Sequence, residues 1–87
     1  MSENPTCMAV IGMGYVGLPL AAAFAAAGYR VIGLDISEEK CAKIMSGRTV
    51  TPDVPDAEVK QIVDAGLLEA SADFSRVAEA DLISICV

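Results

Sequence analysis

Directly behind the apolar run CMAVI at residues 7–11, the chain places three glycines and a proline in eight residues, GMGYVGLP, from Gly12 to Pro19. Few folds need that much bare backbone at the end of an apolar run. Residues 7–12 read as a strand and the glycines as a tight turn. Residues 15–27 read as a helix whose alanines at 21–23 and 25–27 permit close packing. Pro19 forfeits a hydrogen bond and crowds the carbonyl of Tyr15, which predicts an opened first turn over residues 15–18. Gly28 supplies a C-terminal stop, and residues 30–35, RVIGLD, resume strand character with an acid at the end. The unit is strand, helix, strand.

The alternation continues. Ser37 caps a second helix through its hydroxyl, with Glu38 and Glu39 at the positive end of the helix dipole and Gly47 beyond its end near residue 46. Pro52 and Pro55 mark a loop, and Asp56 reads as the cap of a third helix over residues 57–65, closed by Gly66. Residues 67–71 read as a short strand, 74–79 as a helical turn, and 81–87 as a further strand, buried by its composition. Parallel strands need crossovers, and crossovers are almost always right-handed. The fold class is therefore α/β: part of a Rossmann-type, doubly wound parallel sheet, about four strands in the order 3-2-1-4. No repeat, low-complexity segment or linker divides the chain.

Gly12, Gly14 and Gly17 fit G-x-G-x-x-G. Alone the pattern is weak, because glycines in an alanine-rich chain also serve helix packing. Here a strand precedes it, a helix follows, and an acid closes the next strand. In that setting Gly12 allows the turn, Gly14 leaves room for a pyrophosphate, and Gly17 lets the helix approach the sheet. The N–H groups near Gly14, Tyr15 and Val16 then face phosphate. Asp35 lies 23 positions after Gly12 (35 minus 12), near the spacing of the carboxylate that accepts the adenosine ribose hydroxyls. A 2′-phosphate would meet that carboxylate with like charge, and the next residue is Ile36 rather than an arginine. The cofactor expected is NAD rather than NADP.

Composition narrows the other possibilities. At 54% hydrophobic residues and a mean hydropathy of +0.52, the 87-residue chain suits a single small folded unit. The most apolar stretch, residues 16–34, is interrupted by Pro19, Gly28 and Arg30, so no membrane span is expected. MSENPTC at the N-terminus has no basic residue and does not read as a secretion signal. A cytoplasmic protein is expected. Net charge is −6, and the basic residues are dispersed among acids, which argues against nucleic acid as a partner. The acids from Asp53 to Asp64 read as a solvated face. Cys7, Cys41 and Cys86 form no CxxC pair and the chain has no histidine, so no metal site is expected and the thiols read as reduced packing residues. Cys86, in an apolar strand without a neighbouring base, lacks what a nucleophile needs.

The segment GMGYVGLPLAAAFAAAGYRVIGLDISEEK closely resembles the N-terminus of the nucleotide-sugar 6-dehydrogenases, which act on UDP-glucose, UDP-N-acetylhexosamines or GDP-mannose. The specific points are Tyr15-Val16 between the glycines, Leu18-Pro19 after them, and Lys40 five positions beyond Asp35. The similarity continues through Gly47-Arg48, the loop between Pro52 and Pro55, Asp73-Phe74-Ser75-Arg76 and the final residues 85–87. The alanine-rich first helix and the loop DVPDAEV look more like the UDP-N-acetylhexosamine branch. The 3-hydroxyacid dehydrogenases usually have a polar residue where Tyr15 stands.

The resemblance implies an NAD-dependent oxidation of a sugar C6 alcohol to a carboxylate, through an aldehyde held as a thiohemiacetal on cysteine, with two NAD reduced per sugar. It implies a UDP-sugar substrate, a homodimer and a place in polysaccharide biosynthesis. It carries cofactor contacts onto the amides of Tyr15 and Val16, onto Asp35, and onto Lys40 near the adenosine ribose; a solvated helix lysine is the plain alternative for Lys40. The family's catalytic cysteine and its supporting residues have no counterpart here. Residues 1–87 are thus expected to be the N-terminal part of an NAD-binding domain, holding about half of the cofactor site, so that alone they bind NAD weakly at most and do not catalyse. A stand-alone, non-enzymatic NAD-binding or regulatory module is the alternative.

Overall fold

The computed structural model describes residues 6–86. The N-terminal signal-peptide question and the placement of Val87 lie outside those residues. The elements run β1 (Cys7–Ile11), α1 (Gly17–Ala26), β2 (Arg30–Leu34), α2 (Glu38–Met45), α3 (Asp56–Asp64), β3 (Leu68–Ser71), a 3₁₀ turn (Phe74–Glu79) and β4 (Leu82–Ile85). All four strands are parallel, in the order β3-β2-β1-β4, as the alternation predicts.

Side chains alternate across the sheet, so each face builds its own core. On one face Val10, Val31 and Leu68 pack with Leu18, Ala21, Ala22 and Ala25 of α1, Ile44 of α2, and Val59 and Ile62 of α3. The alanines bring α1 close to the strands, as their spacing suggests. On the other face Cys7, Ile32 and Leu34 form a smaller cluster with Ile11 and Val77. The 3₁₀ turn reaches this second face as the chain crosses from β3 to β4, and it is held there by charge. Arg76 pairs with Glu69 at 2.9 Å and with Glu79 at 3.0 Å, while Arg30 reaches the same two acids at 3.3 Å.

Apart from shifts of a residue or two at element ends, three features differ from the sequence reading. α1 begins at Gly17 rather than at residue 15. The N–H of Leu18 donates to Gly14 and that of Leu20 to Val16, but Pro19 has no N–H for Tyr15, so the regular helix starts two residues late. Ser37 caps α2 as expected, accepting the N–H of Lys40 at 3.1 Å. Asp56 does not cap α3. Pro55 holds the cap position without a side-chain bond, and the Asp56 carboxylate accepts the N–H of Thr49 at 2.8 Å, tying the preceding loop shut.

β4 is the third difference. Its composition reads as that of a buried strand, yet Leu82, Ile83 and Ile85 are 55%, 54% and 68% exposed, because among the described residues β4 lies at the sheet edge beside β1 and no helix packs over its faces. Its start is pinned by Asp81, whose carboxylate accepts the N–H of Cys7 at 2.8 Å while its own N–H donates to the Cys7 carbonyl.

Candidate cofactor site

Parallel register sets Ile11 beside both Leu34 and Ile85, so the residues just beyond these three strands meet at one end of the sheet. These are Gly12, Asp35 and Cys86. The meeting point lies where the chain order turns from β1 outward in both directions, the crevice in which open α/β sheets bind ligands. A cleft of about 420 Å³ opens there, lined by Gly12, Gly14, Tyr15, Val16, Asp35, Lys40 and Cys86.

Six of the seven residues singled out in the sequence therefore line one cleft. Gly17, the seventh, lies behind it, buried. The three glycines are required for different reasons. Gly12 has φ +94°, and a methyl there would overlap the Cys86 carbonyl. A methyl on Gly17 would overlap the Gly12 carbonyl, so Gly17 is where α1 touches the turn. Gly14 is the exception. Its φ lies outside the left-handed region, and a methyl there would meet nothing nearer than the Lys40 Nζ at 3.9 Å. Protein packing gives no reason for its missing side chain. The space in front of it belongs to the cleft.

The backbone at this point suits an anion. The N–H groups of Gly14, Tyr15 and Val16 lie ahead of the regular α1 ladder, where helical N–H groups have no intrahelical acceptor and the helix dipole is positive. The Tyr15 and Val16 side chains are 73% and 63% exposed.

Asp35 is buried, and its carboxylate is fully oriented by the protein. Oδ2 accepts the N–H of Met13 at 2.9 Å, Oδ1 accepts the N–H of Ser37 at 2.9 Å, and the Lys40 ammonium stands 3.5 Å from Oδ2. Burial works to raise the carboxyl pKa. The N–H groups of Ser37 and Met13, with the Lys40 charge, outweigh it and hold the carboxyl below its ordinary value, so the group is ionised at neutral pH. A fixed, ionised carboxylate with lone pairs still facing the cleft can accept from a vicinal diol. It would repel a phosphate in the same place.

The cysteines answer the sequence reading in two ways. Cys7 and Cys41 are buried, and burial pushes both thiols up, away from thiolate character. Cys86 packs partly against the larger core, as a structural thiol would, and also lines the cleft. The lining role was missed, although β4's place beside β1 in the predicted strand order contains the signal. Met13 and Gly33 were missed as well. Among the described residues no cluster of histidine, cysteine or acidic side chains could hold a metal ion, and no helix is long and apolar enough to cross a membrane.

The geometry agrees with comparisons to known proteins. The sequence profile of the UDP-glucose/GDP-mannose dehydrogenase family, NAD binding domain, matches residues 6–87. UDP-N-acetyl-D-mannosamine dehydrogenase of Escherichia coli K12 is 43% identical over 82 residues, covering 92% of this chain and 19% of that protein. The Pyrococcus horikoshii protein of the same name is 37% identical over 82 residues, with the same coverage. Among solved structures, GDP-mannose dehydrogenase of Pseudomonas aeruginosa superposes with a TM-score of 0.85 at 34% identity, covering 92% of this chain and 19% of that one. The chain spans about a fifth of the length of these relatives. It belongs to the UDP-glucose/GDP-mannose dehydrogenase family, matching the family's NAD binding domain over residues 6–87.

Proposed function

We propose that residues 1–87 are the N-terminal part of the NAD-binding domain of a nucleotide-sugar 6-dehydrogenase. The whole protein oxidises the C6 alcohol of a UDP-sugar to a carboxylate and reduces two NAD. The observation that carries the reading is Gly14: a residue without a side chain where no packing requires it, facing a cleft closed on its far side by an oriented carboxylate.

Each residue then has a task in holding the cofactor. The amides of Gly14, Tyr15 and Val16 bind the pyrophosphate, Gly14 by letting it come close to the backbone. Asp35 accepts the two hydroxyls of the adenosine ribose, and Lys40 neutralises charge between that ribose and the pyrophosphate. Gly12 and Gly17 set the shape of the turn. Bound NAD supplies the hydride acceptor. Oxidation from alcohol to acid removes two electron pairs, which sets the stoichiometry at two NAD per sugar.

A UDP-N-acetylhexosamine is the favoured substrate class, supported by the names of the similar E. coli and P. horikoshii proteins. The cytoplasmic location belongs to the same reading, and the homodimer and the role in polysaccharide biosynthesis rest on the family resemblance. The test is to supply the full-length protein with NAD and, separately, UDP-N-acetylmannosamine, UDP-N-acetylglucosamine and UDP-glucose, and to follow NADH by absorbance. Two NADH per sugar with one of these supports the reading. Binding of NAD without NADH formation from any of them would favour a non-enzymatic module.

A further inference from the structure

Met13, the first variable residue of the glycine loop, is fully buried and points away from the cleft. Its thioether lies over β2 at Gly33. A methyl built on Gly33 would stand 2.5 Å from the Met13 Cε and 2.6 Å from its Sδ. Gly33 is the fourth of five residues in β2, paired with Val10 on one side and Ala70 on the other, so the strand has no freedom to withdraw. The missing side chain of Gly33 is thus the socket for Met13. The same residue is held a second time, by its N–H on Asp35, and the preceding N–H of Gly12 donates to the Leu34 carbonyl at 2.7 Å. Three consecutive residues of β2 and its end, Gly33, Leu34 and Asp35, therefore grip two consecutive residues of the loop.

We propose that Met13 and Gly33 form a plug and socket that positions the cofactor loop, so that Gly33, which lines no part of the cleft, sets the affinity for NAD. The inference rests on the reading that this loop binds the pyrophosphate. Adding a methyl at Gly33 moves Met13 rather than β2, because β2 is paired on both sides; Met13 is itself fully buried and the clash reaches back to its Cγ at 3.0 Å, so the tip of the side chain has no room to take up the shift alone. Met13 is continuous with Gly14, so the displaced plug carries the phosphate-binding amides with it. A loss of placement of this kind weakens binding without removing any contact group.

The test is the NAD dissociation constant, by isothermal titration calorimetry, of the full-length protein and four variants: Gly33→Ala, Met13→Ala, the double variant, and Gly14→Val. All are measured well below their melting temperatures, with circular dichroism to establish folding. Gly33→Ala is expected to raise Kd about tenfold or more. With Met13 shortened, the added methyl has room, so the double variant should bind within about threefold of Met13→Ala, the non-additivity expected of residues in contact. A Gly33→Ala protein that melts earlier but binds NAD with unchanged Kd would overturn the proposal, since its role would be structural only. So would a double variant in which the losses of the two single variants simply add. If Gly33→Ala does not fold, Met13→Ala alone decides: it must raise Kd, and an unchanged value overturns the plug. Gly14→Val separates the two levels of the argument. Wild-type affinity in that variant defeats the cofactor-site reading itself, whereas weak binding there with normal binding in Gly33→Ala defeats the plug alone.

Discussion

The Asp35 carboxylate accepts the backbone N–H of Met13 at 2.9 Å, joining the end of β2 to the glycine loop across 22 residues of sequence. The acid that faces the cleft is therefore also part of the scaffold of that cleft. On sequence grounds alone, replacing it should weaken NAD binding and spare the fold. The geometry changes the second half of that expectation.

Asp35→Ala leaves the buried N–H of Met13 without an acceptor, a loss of about 1–3 kcal/mol. A domain of this size should then melt roughly 4–8 °C lower for each kcal/mol lost. Asp35→Asn keeps one carbonyl acceptor and should fall between wild type and alanine in stability while still losing NAD affinity. Thermal unfolding of the three proteins, followed by NAD titration, checks the order. Equal melting temperatures would show that the Met13 bond contributes nothing.

Acid should expose the same group. The Asp35 carboxyl is held below its ordinary value of 3.8 in the folded chain, so the unfolded chain binds the proton more readily. Its contribution to stability is fully present above the unfolded value and is lost as pH falls through the lower native one. Urea unfolding of wild type and Asp35→Asn from pH 6 downward should show a constant gap that narrows only below about pH 4. A gap that stays constant to the acid limit would contradict the assignment.

The second face of the sheet gives an independent test. Arg76 bridges Glu69 of β3 and Glu79 of the 3₁₀ turn, and is the better buried of the two arginines in that network. Arg76→Ala should lower the melting temperature by a few degrees, and added salt should shrink the difference, because partly exposed ion pairs are screened. NAD affinity should not change, since the network lies away from the cleft. An effect on NAD binding as large as that of Asp35→Asn would mean that the two faces are coupled.

What the sequence reveals about this fold follows from the range of the interactions involved. The order of strands and helices, the Ser37 cap and the spacing from Gly12 to Asp35 are local or periodic features, and each is legible from neighbouring residues. The delayed start of α1 is legible in part, because Pro19 announces a missing bond but not which residue opens the ladder. The exchange at Asp56 is not: whether its carboxylate caps α3 or ties back to Thr49 depends on how the loop between them folds. Nor is the Met13 and Gly33 contact, which joins residues 20 positions apart. Gly33 in a strand signals only that something comes close. The apolar composition of β4 marks it as a strand made for burial, whereas its exposure follows from its edge place in the order 3-2-1-4, which the alternation of elements does give.

The most direct test of the account is a titration of the protein with NAD and, in parallel, with NADP. An ionised, oriented Asp35 beside a free ribose diol predicts that NAD binds one to one and that NADP binds at least about tenfold more weakly, a difference of roughly 1.4 kcal/mol. Equal affinity for the two would place the 2′ position away from Asp35 and contradict the site described above.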